Sequence, residues 1–260
     1  MAQEQQTVVV TGGTRGVGAG IARSFLAEGA RVVVCARRPP DEPVQVADAA
    51  AEFRRLDVRD PEATARLFED VAAAYGSLDA LVNNAGGGPF GLAADQTPQR
   101  MHRIVELNLM APFYASVAAQ AVMRGQPGGG SITMIGSVSG TRPSPGSAAY
   151  GAAKAGLENL ARSLAVEWAP AVRVNTVVLG LARTESAHVH YGDADGVAAV
   201  ARTVPLGRLA EPEDVGAACV YLASPRAAYV TGASLQLHGG GELPAFLAAA
   251  TVNQDALKGS

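Results

Sequence analysis

The sequence predicts an α/β fold: a doubly wound parallel sheet of about seven strands with helices on both faces. Two observations predict it. Short continuous apolar runs alternate with longer stretches of helical character, the pattern of βαβ units that build a parallel sheet. Glycines and chemistry-bearing residues then fall just after those runs, at 11–18, 36–38, 83–88, 137 and 179–184. That is the carboxyl edge, where an open α/β sheet binds its ligand.

Each element has its own signal. Val8-Val9-Val10 is a buried-strand run that ends in Thr11-Gly12-Gly13-Thr14-Arg15-Gly16-Val17-Gly18, and an amphipathic stretch from Ile21 to Glu28 follows, closed by Gly29. Strand, glycine turn and helix in that order are Rossmann-like. The glycines permit close backbone approach, and the helix N-terminus offers N–H groups to a phosphate. The spacing G-x-x-x-G-x-G departs from the standard dinucleotide fingerprint. Arg31 to Cys35 is a second strand, ending in Ala36-Arg37-Arg38. A dinucleotide fold places an acid there for a ribose, or a basic residue for a 2′-phosphate. Arg37 and Arg38 predict a phosphate clamp, with Arg15 as a third contact; the alternative is a solvated basic turn. From Pro39 to Ala51 the chain is Pro-rich, so any helix is a turn or two at most.

Phe53 to Leu56 reads as the third strand and leads into Asp57-Val58. Asp60-Pro61 then caps a helix to about Tyr75. Asp79 to Val82 is the fourth strand, ending in Asn83-Asn84-Ala85-Gly86-Gly87-Gly88. Thr97-Pro98 starts a helix that carries Asn108 and is interrupted near Pro112. An Asn among apolar residues must satisfy its amide, by tying down backbone or by holding water. Ser131 to Ile135 is the fifth strand, and a helix runs from about Ser147 to Trp168. Its Ala and Gly suit close packing on another helix, including one of a second subunit. Val172 to Val178 is the sixth strand, ended by Leu179-Gly180. Leu181 to Val204 is polar and only partly helical, a lid over the site. A helix from Glu211 or Pro212 to Leu222 and a strand from Ser234 to Leu237 complete the alternation.

The 260 residues are 48% hydrophobic and 17% charged, so they can bury a substantial core and do not have the composition of a disordered chain. They read as one domain, 1–260, with the lid at about 181–204 and a tail at about 241–260. The net charge of −3, without a basic cluster or aromatic platform, argues against nucleic acid. Two cysteines, Cys35 and Cys219, do not make a disulfide framework and point to a reducing cytoplasm. The N-terminus lacks a signal-peptide pattern, no apolar run spans a bilayer, and no metal-ligand spacing occurs.

The segment Ser137 to Lys154 carries the chemistry. Tyr150 and Lys154 share a helix face. A Lys⁺ one turn away predicts a lowered Tyr pKa, and Ser137 sits on a segment able to return its hydroxyl to the Tyr. Tyr and Lys four apart also recur by chance.

Taken together these motifs resemble the short-chain dehydrogenase/reductase family, in its compact single-domain branch, over nearly the whole chain. The matching residues are Thr11-Gly12-x-x-x-Gly16-x-Gly18, Asp57, Asn83-Asn84-Ala85-Gly86, Asn108, Ser137, Tyr150-x-x-x-Lys154 and Arg173-Val174-Asn175. The resemblance implies catalytic Asn108, Ser137, Tyr150 and Lys154. Tyr150 would be general acid and base, and Ser137 would bind the substrate oxygen. Lys154 would hold the nicotinamide ribose and lower the Tyr pKa, and Asn108 would hold a relay water. It implies a cofactor site of Gly12, Thr14, Arg15, Gly16, Val17 and Gly18, with Arg37 and Arg38 for the 2′-phosphate. Asp57 and Val58 would contact adenine, Asn84, Ala85 and Gly86 would border the adenosine ribose, and Gly180 and Thr184 would lie at the nicotinamide and phosphates. The expected function interconverts a small-molecule ketone and secondary alcohol with NADP(H) in preference to NAD(H), in a homotetramer. A 3-oxoacyl-thioester reductase and a non-catalytic NADP-binding sensor are the alternatives. Leu179 stands where the family has Pro, which predicts a less rigid turn, and His238 replaces an acid common before the terminal glycines.

Overall fold

The computed structural model describes residues 5–185 and 187–252. Parts of the expected lid (Ser186) and tail (253–260) lie outside the described residues. β1 (Thr7–Thr11) passes through the glycine turn into α1 (Gly16–Ala27), and β2 (Arg31–Ala36) follows. The Pro-rich stretch that leaves room for a turn or two of helix forms none. It folds into an antiparallel hairpin, β3 (Gln45–Val46) with β4 (Ala49–Ala50). Pro39, Pro40 and Pro43 have no N–H to give a helix, and so the crossover from β2 to β5 (Glu52–Arg55) is made without one.

α2 (Pro61–Tyr75) starts as its sequence predicts: the Ala63 N–H donates to the Asp60 carboxylate at 2.9 Å, and Gly76 ends the helix at φ 87°. β6 (Ala80–Asn83) and α3 (Pro98–Val105) come next. The interruption expected near Pro112 lies just before it. Glu106–Met110 widens into a π-helical turn, and α4 (Ala111–Met123) resumes. Pro112 cannot donate to a carbonyl one turn back, and a local π turn absorbs that loss without breaking the rod. The remaining elements are β7 (Gly130–Ser137), α5 (Ala148–Trp168), β8 (Val172–Leu179), α6 (Ala187–Tyr191), α7 (Ala194–Ala201), α8 (Pro212–Ala223), β9 (Ser234–Leu237) and α9 (Ala245–Ala249).

Seven strands form one sheet in the order β5-β2-β1-β6-β7-β8-β9, and every pairing in it is parallel. The order reverses between β1 and β6, which makes that edge the switch point where a ligand fits. Alternate strand residues go to opposite layers. Val8, Val10, Val32 and Val34 pack on the side of α1 and α8, whereas Val9, Val33, Leu81 and Met134 pack on the side of α2, α4 and α5. No helix among the described residues is long and apolar enough to cross a membrane.

Candidate active site

The glycine turn is locked from the end of β6. The Thr11 hydroxyl oxygen accepts the Asn84 and Ala85 N–H groups, both at 3.0 Å. The Asn84 amide donates to the Thr11 and Gly12 carbonyls at 2.9 and 3.2 Å. A Cβ at Gly18 would stand 2.2 Å from the Gly12 carbonyl oxygen, so only glycine lets α1 begin this close to the turn. Asn84, expected at the adenosine ribose, thus uses its amide to hold the turn while still lining the cleft.

Ser137 ends β7 opposite Leu179 of β8. The short turn after it, Val138–Gly140, lies on the first turns of α5. A Cβ at Gly140 would come 2.7 Å from the Ala155 nitrogen, and one at Gly151 would come 2.6 Å from the Ser139 carbonyl oxygen. These two glycines let the strand end and the helix approach, and they bring Ser137 to Tyr150. The phenol's pKa is raised: burial pushes it up, and the Ser137 hydroxyl opposes that without prevailing. The lowering by Lys154 that the spacing predicts is not what this arrangement produces. Lys154 is itself buried, which brings its pKa down to about 8. Its Nζ lies 5.6 Å from the Tyr150 ring centroid and donates to the Ile135 carbonyl at 2.7 Å.

Asn108, in the π turn, is fully buried and uses both ends of its amide. Oδ1 accepts the Gly87 N–H at 2.8 Å, and Nδ2 donates to the Gly87 and Ile104 carbonyls, both at 2.9 Å. It therefore ties the loop after β6 to the helix, the first of its two expected roles. Asn108 Oδ1 and Lys154 Nζ both come close to Gly86, where a Cβ would lie 2.7 Å from Oδ1 and 3.4 Å from Nζ.

One cleft of about 820 Å³ runs along the carboxyl edge of the sheet. All the sequence-derived candidates line it except Asn108, which lies behind its wall, and Arg38. Only Arg37 of the expected pair faces the cleft; successive residues leave a strand end in different directions. Sequence reasoning missed Arg59, Arg100 and Arg103 as lining residues. Arg59 clamps both oxygens of Asp57, at 2.9 and 2.6 Å, and holds that carboxyl below its ordinary range. Its nearness to Asp57 in sequence was the available signal. The turn after β8 is pinned despite its missing proline, since the Gly180 N–H donates to Leu237 O at 2.9 Å and Arg183 N–H to Ala210 O at 2.8 Å. A Cβ at Gly180 would meet His238 Cβ at 2.7 Å.

Beyond Gly180 a smaller cavity of about 200 Å³ opens beside Thr141, Leu181 and His238. The Arg142–Glu242 ion pair, at 2.5 Å, borders it. Phe90 packs over Gly146 on the same side of the site, where a Cβ would strike its ring at 2.0 Å.

A family model described as enoyl-(acyl carrier protein) reductase matches residues 12–242. The chain is 36% identical over 241 residues to 3-oxoacyl-(acyl-carrier-protein) reductase FabG of Escherichia coli, across 91% of this chain and 97% of that protein. It is 35% identical over 242 residues to 3beta-hydroxysteroid dehydrogenase 1 of Eggerthella lenta, across 90% and 93%. The ligand-free aldohexose dehydrogenase of Thermoplasma acidophilum superposes with a TM-score of 0.84 at 29% identity, over 91% of this chain and 94% of that one. Identities of 29–36% thus extend to proteins named for an acyl carrier protein, a steroid and a sugar.

Proposed function

Because the chain belongs to the short-chain dehydrogenase/reductase family, oxidoreductases of CH–OH and C=O groups that use NAD(P), we propose that it interconverts a ketone and a secondary alcohol with NADP(H), Tyr150 being the general acid and base. One observation supports this above the rest: a single cleft holds Ser137, Tyr150 and Lys154 together and also takes in Arg37. The end of β7, with Ser137, and the end of β2, next to Arg37, are three strand spacings apart, about 14 Å, with the switch point between them. The residues fit a dinucleotide. A Cβ at Gly13 or Gly18 would clash with Val34 or the Gly12 carbonyl at 2.6 and 2.2 Å, so these glycines set the tight turn, and the β2 end offers a guanidinium and no carboxylate to a 2′-phosphate.

A bound nicotinamide supplies or accepts the hydride. In the reductive direction Tyr150 gives its phenolic proton to the carbonyl oxygen, and the Ser137 hydroxyl donates a hydrogen bond to that oxygen as negative charge builds. In the oxidative direction Tyr150 takes the alcohol proton only as the phenolate, after its own proton has left. Its raised pKa keeps the phenol protonated at neutral pH, as a donor must be. Lys154 would hold the nicotinamide ribose hydroxyls, and its charge would stabilise the phenolate once the proton has left. Asn108 Oδ1 and Lys154 Nζ both come close to Gly86, and a relay water on Asn108 would pass the proton onward. The smaller cavity is walled by Val138, by Leu181 and by an ion pair that neutralises itself, which favours an uncharged, partly apolar carbonyl compound.

The test is turnover of NADPH with a panel of a cyclic ketone, a 3-oxoacyl thioester, a steroid ketone and a hydroxyketone. Tyr150→Phe should bind NADPH normally and lose about 10²-fold or more in kcat. Undiminished turnover by that variant sinks the mechanism.

A further inference from the structure

The phosphate cradle already has an anion on it. Gly16 is the first residue of α1, so its N–H has no acceptor inside the helix. It donates instead to Glu185 Oε1 at 3.3 Å, from 169 residues further along the chain. The other carboxylate oxygen is close by, since a Cβ on Gly16 would stand 3.5 Å from Oε2. Glu185 lines the cleft beside Thr184. Among the described residues it makes no ion pair, although its neighbour Arg183 pairs with Glu211 at 3.0 Å. A carboxylate is stabilised here for the reason a phosphate is: both are anions at the positive end of a helix. They cannot share the site, because like charges in contact repel.

We infer that Glu185 is an internal stand-in for the cofactor pyrophosphate, held on the Gly16 amide until the dinucleotide displaces it. The inference rests on the cofactor reading above.

Displacement has a consequence at the substrate end. Leu181 to Arg183 is fixed to Ala210 by two backbone bonds of 2.8 and 2.9 Å. On the far side, Leu243 N–H donates to Thr203 O at 2.7 Å and Leu206 N–H to Gly239 O at 3.1 Å. Glu185, α6 and α7 lie between these anchors. The His188 ring nitrogen Nδ1 sits 3.0 Å from the Glu185 carbonyl, tying α6 to it. α6 ends at Tyr191, a phenol within electrostatic reach of Glu242, Arg142 and Tyr150. One segment thus runs from the phosphate cradle at Glu185 to Tyr191, within electrostatic reach of Tyr150. Displacement of Glu185 would shift the start of that segment.

Calorimetric titration of the intact protein with NADPH, NADH and adenosine 2′-monophosphate tests this, alongside hydrogen exchange over 187–201 without ligand. Glu185→Gln removes the charge and keeps the shape. It should lower the dissociation constant for NADPH about three- to tenfold, the effect of one charge at a helix terminus. Affinity for adenosine 2′-monophosphate, which lacks the pyrophosphate, should not change, and exchange over 187–201 should rise. Glu185→Ala should act in the same direction. NADPH binding that is unchanged or weaker in both variants overturns the inference and leaves the cofactor reading standing. Equal tightening of adenosine 2′-monophosphate also overturns it, because the effect is then a general field. If the wild-type protein binds neither dinucleotide, the cofactor reading fails and the inference fails with it.

Discussion

Lys154 is a cation placed where charge is disfavoured, and its titration links stability to pH. Its folded pKa of about 8 lies below its ordinary 10.5, with burial as the cause. Below pH 8 both folded and unfolded chains carry the proton, and the fold bears the full cost of a buried charge. Between about 8 and 10.5 the unfolded chain keeps a proton that the folded chain has released, so stability rises with pH through that window. Measured against Lys154→Met by urea unfolding without ligand, the wild-type protein should gain on the order of 3 kcal/mol from pH 7 to 10.5. A difference that stays flat across that range removes the depressed pKa. At the other end of the cleft the decisive residue is Arg37. Arg37→Ala should cut the ratio of kcat/KM for NADPH over NADH by about tenfold, the loss of one charge-assisted contact. Arg38→Ala, outside the cleft, should leave the ratio alone. An unchanged ratio in Arg37→Ala rules out the clamp.

At the scale of elements, the site depends on how closely α1 and α8 cross. Gly20 of α1 faces Pro212, and Gly216 of α8 faces Ser24; a Cβ at either would stand 2.2 or 2.0 Å from its neighbour. Gly20→Ala gains about 1 kcal/mol of helix propensity. It also forces a methyl against Pro212 backbone atoms at 2.7 and 2.9 Å, which cannot yield as a side-chain tip does. Overpacking should win, for a net loss of about 1–2 kcal/mol in chemical denaturation; equal or greater stability of the variant would show that the helices part freely. The strands and most helices were legible because each carries its own signal: Val runs, the Asp60-Pro61 cap, the Thr97-Pro98 start. The β3–β4 hairpin was not, because prolines say what a segment cannot form and leave open what it does. The π turn was visible only as an interruption near Pro112. The cleft residues were legible where a motif sits at a strand end, as at Tyr150 and Lys154. Glu185 could be placed in the lid over the site, but its contact with Gly16 could not, since it crosses 169 residues that no local pattern links. Tyr150's raised pKa was hidden for a related reason: helical spacing shows that Lys154 is near but says nothing of burial.

For the whole molecule, two of the apolar surfaces that the described residues leave exposed lie on separate faces. On the α4–α5 side, Val117 of α4 is 48% and Val166 of α5 82% exposed, and Ala152 and Ala155 are exposed earlier on α5. At the sheet edge, β9 presents an unpaired strand flank, with Leu235 38% exposed. An open strand edge carrying apolar side chains invites pairing unless something covers it. A surface that pairs with its own copy does so about a two-fold axis. One such surface gives a dimer; two facing different directions give two axes and a closed tetramer of dihedral symmetry. The predicted particle is therefore a homotetramer, four times the 26.5 kDa chain mass in sedimentation equilibrium. Val166→Glu and Leu235→Glu each bury a charge at one surface only, so each should leave dimers, held by the surface that remains. The double variant should sediment as monomers. A wild-type protein that runs as a monomer, or a single variant that falls straight to monomers, contradicts the two-surface arrangement.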